Sequence, residues 1–440
     1  MFSPLRNDAY RNLVAAQVSA LVGTGLATVA LGLLAFDLAG ANAGQVLGMV
    51  FGIKMICYVA IAPVASALAA RAPRKVLLVG LDLVRAGVAA ALPFVSEPMQ
   101  IYVLMALLYA ASAAFTPAFQ AMIPDILPDE AEYAKALSLS RLAADLEGVA
   151  SPVLAALLLS FIAFQDLFAG TALGFVFSAA LVIAAKLRLS AKASPRPFLN
   201  RLTSGLNIYL RTPRLRALMA MSLATAAGGA MVFVNTVVIV QSRLRLSERA
   251  VTWALAAFGA GSMFAALALP RLVGKHSDLS VMIAAAASLS VLLAAENFFG
   301  RTYFGLAALW IGLGVAYSLT LTPVGRVLRR SSDPKDRPAL FAAQFALSHA
   351  CWLMAYPVAG FVSANAGIEA AFVSLAALST FGALGAAIFW PKDDALELWH
   401  RHDDLAPDHP HLAGAGGELG LAHAHAFHID AVHRRWPKAS

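Results

Sequence analysis

Apolar runs of about 20 residues recur between residues 13 and 390, and no other feature constrains the fold as strongly. About 20 residues of α-helix span the hydrocarbon core of a bilayer. The strands of a membrane barrel instead alternate apolar and polar residues over about ten positions, and these runs do not alternate. We therefore predict an all-α polytopic membrane protein with twelve transmembrane helices, at roughly 13–38, 45–70, 76–95, 100–122, 136–161, 166–187, 217–241, 250–272, 279–299, 302–325, 338–364 and 367–390.

The composition agrees with lipid as the solvent of these segments. Hydrophobic residues make up 60% of the chain and charged residues 13%, against about 45–50% and about 25% in soluble domains. Cys57 and Cys351 form no CxxC pair, so we expect no disulfide framework and no cysteine metal site. The sequence contains no Walker A motif, no nucleophile motif and no H-E-x-x-H. We therefore predict that the protein is not an enzyme, does not use ATP itself and has no cofactor.

Basic residues are distributed unevenly between the apolar segments. The loops after segments 2, 6, 8 and 10 hold most of them, and the loops on the other side hold few apart from Arg243, Arg245 and Arg249. Positive residues in short loops mark the cytoplasmic side of a membrane. This bias predicts that both termini are cytoplasmic. The net charge of +8 then calls for anionic lipid headgroups as the counter-charge and for no nucleic-acid partner.

The longest polar break between segments, residues 188–216, divides them into two sets of six. We predict an N-terminal half at 1–187, a central cytoplasmic loop at 188–216, a C-terminal half at 217–390 and a cytoplasmic tail at 391–440. Short patterns recur between the halves at an offset of 205–207 residues: Phe51-Gly52 as Phe258-Gly259, Thr116-Pro117 as Thr322-Pro323, and Pro152 as Pro357. One constant offset indicates a duplicated six-helix unit and two pseudo-symmetric halves.

Two six-helix halves, a basic central loop and cytoplasmic termini resemble the major facilitator superfamily over about residues 10–390. The resemblance implies a substrate site between the halves near the midplane. The family's motif between its second and third helices is met in part. Arg71, Arg74 and Lys75 match it, whereas Ser66, Ala70 and Pro73 replace its glycines and its aspartate. The resemblance implies a cytoplasmic gate at these basic residues, with Asp82 as a substitute carboxylate and Arg85 one helical turn away.

Within that superfamily the chain looks most like bacterial efflux members such as siderophore and macrolide exporters. The residues that carry this likeness run from Arg71 to Val79 and include Asp82, Arg85 and Ser151-Pro152. The likeness implies outward, proton-coupled antiport across a bacterial inner (plasma) membrane by a single chain.

Ionisable side chains inside a membrane are costly and are therefore functional candidates. Asp37 can neutralise Lys54, and Arg141 can pair with Asp145 four residues later. Glu147 lies near the midplane, where a carboxyl group either carries a proton or pairs with another helix. His349 is either a titrating residue or a packing residue. We assign the substrate and proton pathway to Glu147, Asp145, Arg141, Lys54, Asp37, Asn235, Gln344 and His349.

The tail from Pro391 holds eight of the ten histidines of the chain. Clustered imidazoles bind zinc, nickel, copper and cobalt. The candidate metal ligands are His400, His402, His409, His411, His423, His425, His428 and His433. The alternative is a polar tail whose histidines reflect composition, or a docking segment. Trp399 and Trp436 favour docking of parts of the tail on the inner surface.

Three functions are consistent with these patterns. The leading hypothesis is a proton-coupled exporter of a small organic molecule that works by alternating access. The first alternative is export of a divalent transition metal, with the histidine tail as its collector. The second is a transporter-like sensor or receptor whose tail binds a cytosolic partner.

Overall fold

The computed structural model describes residues 3–69, 73–120, 122–127, 129–185, 198–273, 277–299, 301–333, 336–391, 397–401, 422–429, 432, 433 and 436. These residues contain twelve long helices: α1 Asp8–Ala39, α2 Ala43–Ala69, α3 Arg74–Ala91, α4 Pro98–Gln120, α6 Glu130–Leu158, α7 Asp166–Ala184, α9 Pro213–Val237, α10 Glu248–Val273, α11 Asp278–Ala294, α13 Tyr303–Leu321, α15 Arg337–Ala366 and α16 Ile368–Phe389. The described residues also contain four shorter α-helices, a π-helical turn, three 3-10 turns and two strands: α5 Ile123–Ile126, α8 Phe198–Arg211, α12 Glu296–Phe299, α14 Val324–Arg330, the π turn Val238–Arg243, the 3-10 turns Ser3–Arg6, Gly40–Asn42 and Leu92–Phe94, β1 Glu397–Arg401 and β2 Ala422–Ala426.

The long helices confirm the predicted twelve-helix bundle. Nine stretches of the described residues are long and apolar enough to span a membrane, and one of them, Asp8–Ile61, covers both α1 and most of α2. The two remaining long helices are α11, which has 17 residues, and α6, whose sequence includes three charged residues in its central part. Six long helices precede residue 186 and six follow residue 212.

Close helix contacts hold the first half together. Helix α1 packs along α7 and α6, and α2 packs along α4. Thr171 donates a hydrogen bond to the carbonyl oxygen of Gly23 at 2.9 Å, and Ser19 donates to that of Gly174 at 2.9 Å. A Cβ added at Gly174 would lie 3.0 Å from the Ser19 carbonyl oxygen. Small residues thus let α1 and α7 approach until hydroxyl groups bond across the interface, as is usual between membrane helices.

The two halves meet mainly through α2 with α15 and through α6 with α10. Successive long helices run in opposite directions, so α1, α3, α6, α9, α11 and α15 all begin at one end of the bundle. We call this end, near the basic loops, the basic end, and the other the opposite end. The start of α1 is fixed there by Tyr10, which donates to the carbonyl oxygen of Ala136 near the start of α6 at 2.9 Å.

The segment predicted as a central loop between the halves, 188–216, contains helix α8 and the start of α9. Gly205, Ile208 and Tyr209 share one face of α8 and are buried, which is the pattern of an amphipathic surface helix. Burial raises the pKa of Tyr209, whose hydroxyl therefore stays protonated and donates to Oε1 of Gln344 on α15. The loop is thus fastened to the C-terminal half.

Part of the tail is folded against the basic end. Strand β1 pairs antiparallel with β2. Beyond β2, Phe427 and Ile429 are buried in a cluster with residues of α8 and α9, and the guanidinium carbon of Arg214 lies 4.9 Å from the centre of the Trp436 ring. Docking predicted for Trp436 is therefore confirmed. Trp399 is 72% exposed, so the same prediction was wrong there.

Replacement of Gly205 by alanine tests the packing of α8 against α15. A Cβ at this position would lie 2.1 Å from the carbonyl oxygen of Ala339, so α8 would have to leave α15. We expect Gly205→Ala to lower the midpoint of thermal unfolding in detergent. Gly325→Ala, at a helical glycine with open space around it, should leave the midpoint equal or higher, because alanine favours a helix by about 1 kcal/mol. Equal midpoints for the two variants would contradict the packing.

Candidate functional site

Aromatic side chains line the region where the halves meet. Helix α15 carries Phe345, His349, Trp352 and Tyr356 at intervals of three or four residues, so their rings share one face of the helix. The ring centres of Phe51 and Tyr356 lie 5.0 Å apart, and those of Trp352 and Tyr356 lie 4.9 Å apart. We define the aromatic cluster as Phe51, Tyr58, Tyr109, Phe233, Phe258, Tyr317, Phe345, His349, Trp352 and Tyr356.

The aromatic cluster joins the halves directly. Tyr58 of α2 stacks on His349 of α15 with ring centres 5.6 Å apart. On the C-terminal side, Phe233 and Phe258 pack edge to face at 5.6 Å, and Phe258 lies 5.3 Å from Tyr317. The rings come from α2, α4, α9, α10, α13 and α15, which are central helices of both halves. They form a surface suited to flat apolar groups.

Two nitrogen-bearing side chains belong to this surface. The Lys54 ammonium lies 5.5 Å from the centre of the Tyr109 ring, a cation–π contact, and is within electrostatic range of His349. Nδ1 of His349 lies 2.7 Å from the carbonyl oxygen of Phe345. Because a carbonyl only accepts, Nδ1 carries the proton, and in the neutral ring Nε2 is the acceptor. The site therefore offers a positive charge and an imidazole among rings.

The structure does not bring Asp37 to Lys54. Asp37 is exposed at the opposite end of α1, whereas Lys54 is near the middle of α2 over Tyr109. The predicted pair between them was wrong, because residue 37 lies at the end of its helix and residue 54 nearly half a helix deeper. Arg141, Asp145 and Glu147 belong to α6, but their side chains lie outside the described part of the structure.

Asn235 and Gln344 fasten helices rather than line the aromatic cluster. Asn235 is buried in α9 and donates from Nδ2 to the carbonyl oxygen of Ala359 at 3.2 Å. Gln344 accepts from Tyr209 and lies 3.4 Å from the Ser222 hydroxyl, so it joins α15 to α8 and α9. Asn235 Nδ2 and the Gln344 amide therefore bond between helices, a structural role that polar residues often have inside a membrane.

The proposed gate residues Asp82 and Arg85 form a pair inside the first half. Asp82 is 0% and Arg85 4% exposed. Arg85 donates to one carboxylate oxygen and Ser178 to the other, at 2.8 Å for Ser178. The guanidinium carbon lies 4.1 Å and 4.5 Å from the ring centres of Phe115 and Phe175. This pair links α3 to α7 and α4 within the first half.

Lys75 is also used within its own half. Its Nζ donates to the carbonyl oxygens of Ile183 at 2.6 Å and Ala185 at 3.1 Å. These carbonyls end α7, and a cation at a helix C-terminus satisfies them. Arg71 and the side chain of Arg74 lie outside the described residues.

The opposite end of the bundle is closed by backbone contact. A Cβ added at Gly360 of α15 would lie 2.2 Å from the carbonyl oxygen of Gly44, and one at Gly48 of α2 would lie 2.7 Å from that of Tyr356. Arg249, at the start of α10, donates to the carbonyl oxygens of Leu159 at 3.1 Å and of Ser160 at 3.4 Å, after the end of α6. The pairs α2–α15 and α6–α10, through which the two halves meet, are therefore in close contact at this end.

Two of the three arginines that break the predicted charge bias have structural roles. Arg249 joins the start of α10 to the end of α6. Arg243 lies 2.5 Å from a carboxylate oxygen of Glu296 and 3.5 Å from one of Glu369. Sequence reasoning counted these arginines only as exceptions in a loop. Their spacing from the end of α9 carried no signal for their partners, which are distant in sequence.

The histidine tail is described only in part. Among the side chains that the structure describes, no group of three or more His, Cys, Asp or Glu is placed to hold a metal ion. His433 is 5% exposed, and its ring centre lies 5.0 Å from that of His425 and 4.6 Å from that of Phe427. The side chains of His400 and His423, and all of His402, His409 and His411, lie outside the described part.

Comparison with known families identifies the architecture. The Major Facilitator Superfamily model matches residues 13–275 and 218–410. The chain belongs to the major facilitator superfamily. It is therefore a multi-pass membrane transporter and not an enzyme, with a small-molecule substrate and lipid around it. No curated protein matches the chain.

Solved structures of this superfamily share the fold at low sequence identity. A variant of the nucleoside transporter NupG superposes with a TM-score of 0.67 at 14% identity, covering 87% of this chain and 100% of that one. A bacterial homologue of the human lysosomal transporter Spinster, inward-facing and unoccupied, has a TM-score of 0.64 at 12% identity, with 88% and 96% covered. The human organic anion transporter MFSD10 (TETRAN) has a TM-score of 0.59 at 12% identity, with 86% and 99% covered.

The Asp82–Arg85 pair predicts a stability defect. Asp82→Asn leaves a buried guanidinium without its counter-charge, which costs about 3–5 kcal/mol. We expect a marked fall in the midpoint of thermal unfolding in detergent, and partial recovery in Asp82→Asn/Arg85→Gln. Asp8→Asn, in the exposed Asp8–Arg11 pair, should have no measurable effect. Wild-type stability of Asp82→Asn combined with lost transport would instead support the gate role.

The glycine contact predicts a shift in conformation. Non-bonded heavy atoms approach to about 3.5–4.0 Å, so Gly360→Ala forces α2 and α15 apart at the opposite end. Spin labels at Ala41 and Asn365, in a chain without its native cysteines, should report a longer distance in this variant. Gly32→Ala, where an added Cβ meets nothing within 4 Å, is the matched control. An unchanged distance distribution in Gly360→Ala would contradict the close contact.

Proposed function

We propose that the protein exports a small organic molecule with a flat ring system, which binds against the aromatic cluster between the two halves. The observation that carries this proposal is the continuous face of rings that α2 and α15 present to each other at the centre of the bundle. Burial of one ring of a ligand against such a surface contributes about 1.5–3 kcal/mol. A drug-like or siderophore-like molecule fits this chemistry.

Polar groups at the aromatic cluster indicate how such a molecule is oriented. The Lys54 ammonium adds positive charge to the wall beside Tyr109. His349 adds an acceptor at Nε2 where Tyr58 stacks on its ring. A substrate with an acidic or hydroxyl group at the edge of its ring system therefore satisfies both the rings and the polar groups, and a wholly apolar compound satisfies the rings alone.

The closed opposite end supports binding from the basic end. In alternating access, a site that is closed on one side of the membrane exchanges its ligand with the other side. Basic residues in the loops mark that other side as cytoplasmic. The conformation with α2 on α15 and Arg249 on the end of α6 is then the one that loads substrate from the cytoplasm. Loading from the cytoplasm is the first half of an export cycle.

Proton exchange supplies the driving force in this proposal. Glu147 is the proposed proton carrier, because its position near the middle of α6 places a carboxyl group in the span that packs on α10 of the other half. A carboxyl group in an apolar setting takes up a proton near neutral pH. Release of that proton on the cytoplasmic side and capture of substrate there would make the exchange obligatory.

Metal export is less well supported by the site. Among the described side chains of the aromatic cluster, His349 is the one strong ligand for a transition metal, and such ions take several ligands in proteins. The hypothesis nevertheless makes a distinct prediction, because it requires metal accumulation to fall in cells that express the chain.

Transport assays separate these functions. In everted vesicles with an acidic lumen, aromatic organic compounds should collapse the proton gradient, and Trp352→Ala should weaken their apparent affinity about tenfold. Trp253→Ala is the matched control, because Trp253 is 50% exposed on α10 outside the aromatic cluster, and it should change affinity less than about twofold. Glu147→Gln should retain binding and lose proton exchange.

Three outcomes would overturn the proposal. Equal losses in Trp352→Ala and Trp253→Ala would remove the aromatic cluster as the binding surface. Collapse of the proton gradient by nickel, cobalt, zinc or copper, and by no organic compound, would establish metal export instead. Binding of organic compounds without any transport would indicate a receptor.

A further inference from the structure

Two adjacent glycines lie inside helix α9, beside the aromatic cluster. Gly228 and Gly229 are both buried. Glycine is less favourable than alanine inside a helix, because it loses more conformational freedom on folding. The helix alone would therefore favour larger residues at these two positions. The reason for glycine here lies in the helices that pack against α9.

The neighbour of Gly229 is the indole ring of Trp352 on α15. A Cβ added at Gly229 would lie 2.2 Å from Cη2 of this ring, 3.0 Å from Cζ3 and 3.3 Å from Cζ2. These three atoms form the outer edge of the six-membered part of the indole, so that edge lies directly against the backbone of α9. Gly228 has a different neighbour, since a Cβ there would lie 2.9 Å from Cδ2 of Leu289 on α11.

The other contacts of Trp352 indicate where its ring would move. The ring centre lies 4.9 Å from that of Tyr356 and 6.3 Å from those of Phe233 and Tyr317. Trp352 is nevertheless only partly buried, so part of its surface borders accessible space at the aromatic cluster. Non-bonded heavy atoms approach to about 3.5–4.0 Å. A methyl group at residue 229 would therefore push the indole away from α9 and into that space.

We propose that Gly229 is a positioning residue that limits the size of the ring system accepted by the aromatic cluster, through the place it gives to the Trp352 indole. This inference rests on the export proposal, because it concerns the same binding surface. With glycine at residue 229 the indole lies back against α9, and the space in front of it admits a flat molecule of several fused rings. With a larger residue the indole occupies that space, and only smaller ring systems bind.

Binding of a graded series of ring systems tests the inference. Benzoate, naphthoate and anthracene carboxylate share a carboxylate suited to the Lys54 ammonium and differ in the number of fused rings. In titrations of the purified full chain in detergent, we expect Gly229→Ala to weaken binding of anthracene carboxylate relative to benzoate at least about tenfold. The matched control is Gly228→Ala, which adds the same methyl group against Leu289 and should change this ratio less than about twofold.

A second substitution separates the position of the indole from damage to the helix. Phenylalanine at residue 352 keeps an aromatic ring but lacks the three indole atoms nearest to Gly229. In the Trp352→Phe background, Gly229→Ala should therefore change the ratio less than about twofold. Coupling of this kind between two substitutions is expected only when the two residues act through the same contact. An equal effect of Gly229→Ala with and without Trp352 would overturn the inference.

The indole N–H resonance of Trp352 reports the position of the ring without any ligand. Labelling with ¹⁵N-tryptophan gives one such resonance for each of the six tryptophans, and Trp352→Phe identifies the one from residue 352. We expect Gly229→Ala to shift this resonance and Gly228→Ala to leave it in place. An unmoved resonance in Gly229→Ala would overturn the inference whatever binds.

The two proposals fail in distinguishable ways. If the wild type binds the three compounds and both glycine variants keep its ratio of affinities, the role of Gly229 is overturned and the binding surface stands. If the wild type binds none of the three compounds, the surface itself is overturned for flat aromatic acids, and the size limit with it.

Discussion

The absence of water inside a bilayer governs where the polar residues of this bundle are placed. A polar group in hydrocarbon needs a partner from the protein. Asp82 bonds to Arg85 and Ser178, and Thr171 to the backbone of α1. Each partnership joins two helices or two turns of one helix, so these polar residues stabilise the first half. Rings with Lys54 and His349 lie instead at the junction between the halves, where the proposed substrate site is placed.

The fold was largely predictable because lipid enforces a length and a composition on each spanning helix. Apolar runs located the long helices, including α6, whose charges lower its hydropathy. Two elements were missed for one physical reason. Helix α8 and the strand pair are stabilised by tertiary burial, of Tyr209 in one case and Phe427 in the other, and short amphipathic or alternating segments carry little signal by themselves.

The candidate site was predicted less well because single residues do not reveal their neighbours. Charge inside a span indicated Lys54, and the family resemblance indicated Asp82. Lys54 lies over Tyr109 at the junction, whereas Asp82 is buried within α3, α4 and α7. The aromatic residues were overlooked because rings are also common on lipid-facing surfaces. A usable signal existed, since Phe345, His349, Trp352 and Tyr356 follow one helical face with a histidine in the series.

Closure at the opposite end and docking at the basic end place two different demands on α15. At one end Gly360 meets Gly44, a contact between halves that has to break if access is to alternate. At the other end α8 packs against Ala339, and the tail packs on the same hydrophobic cluster as α8. These second contacts lie within the C-terminal half, so alternation of access does not require them to break. A ligand can bias the transport cycle only if it has a different affinity for the two conformations, because a ligand with equal affinity for both shifts neither.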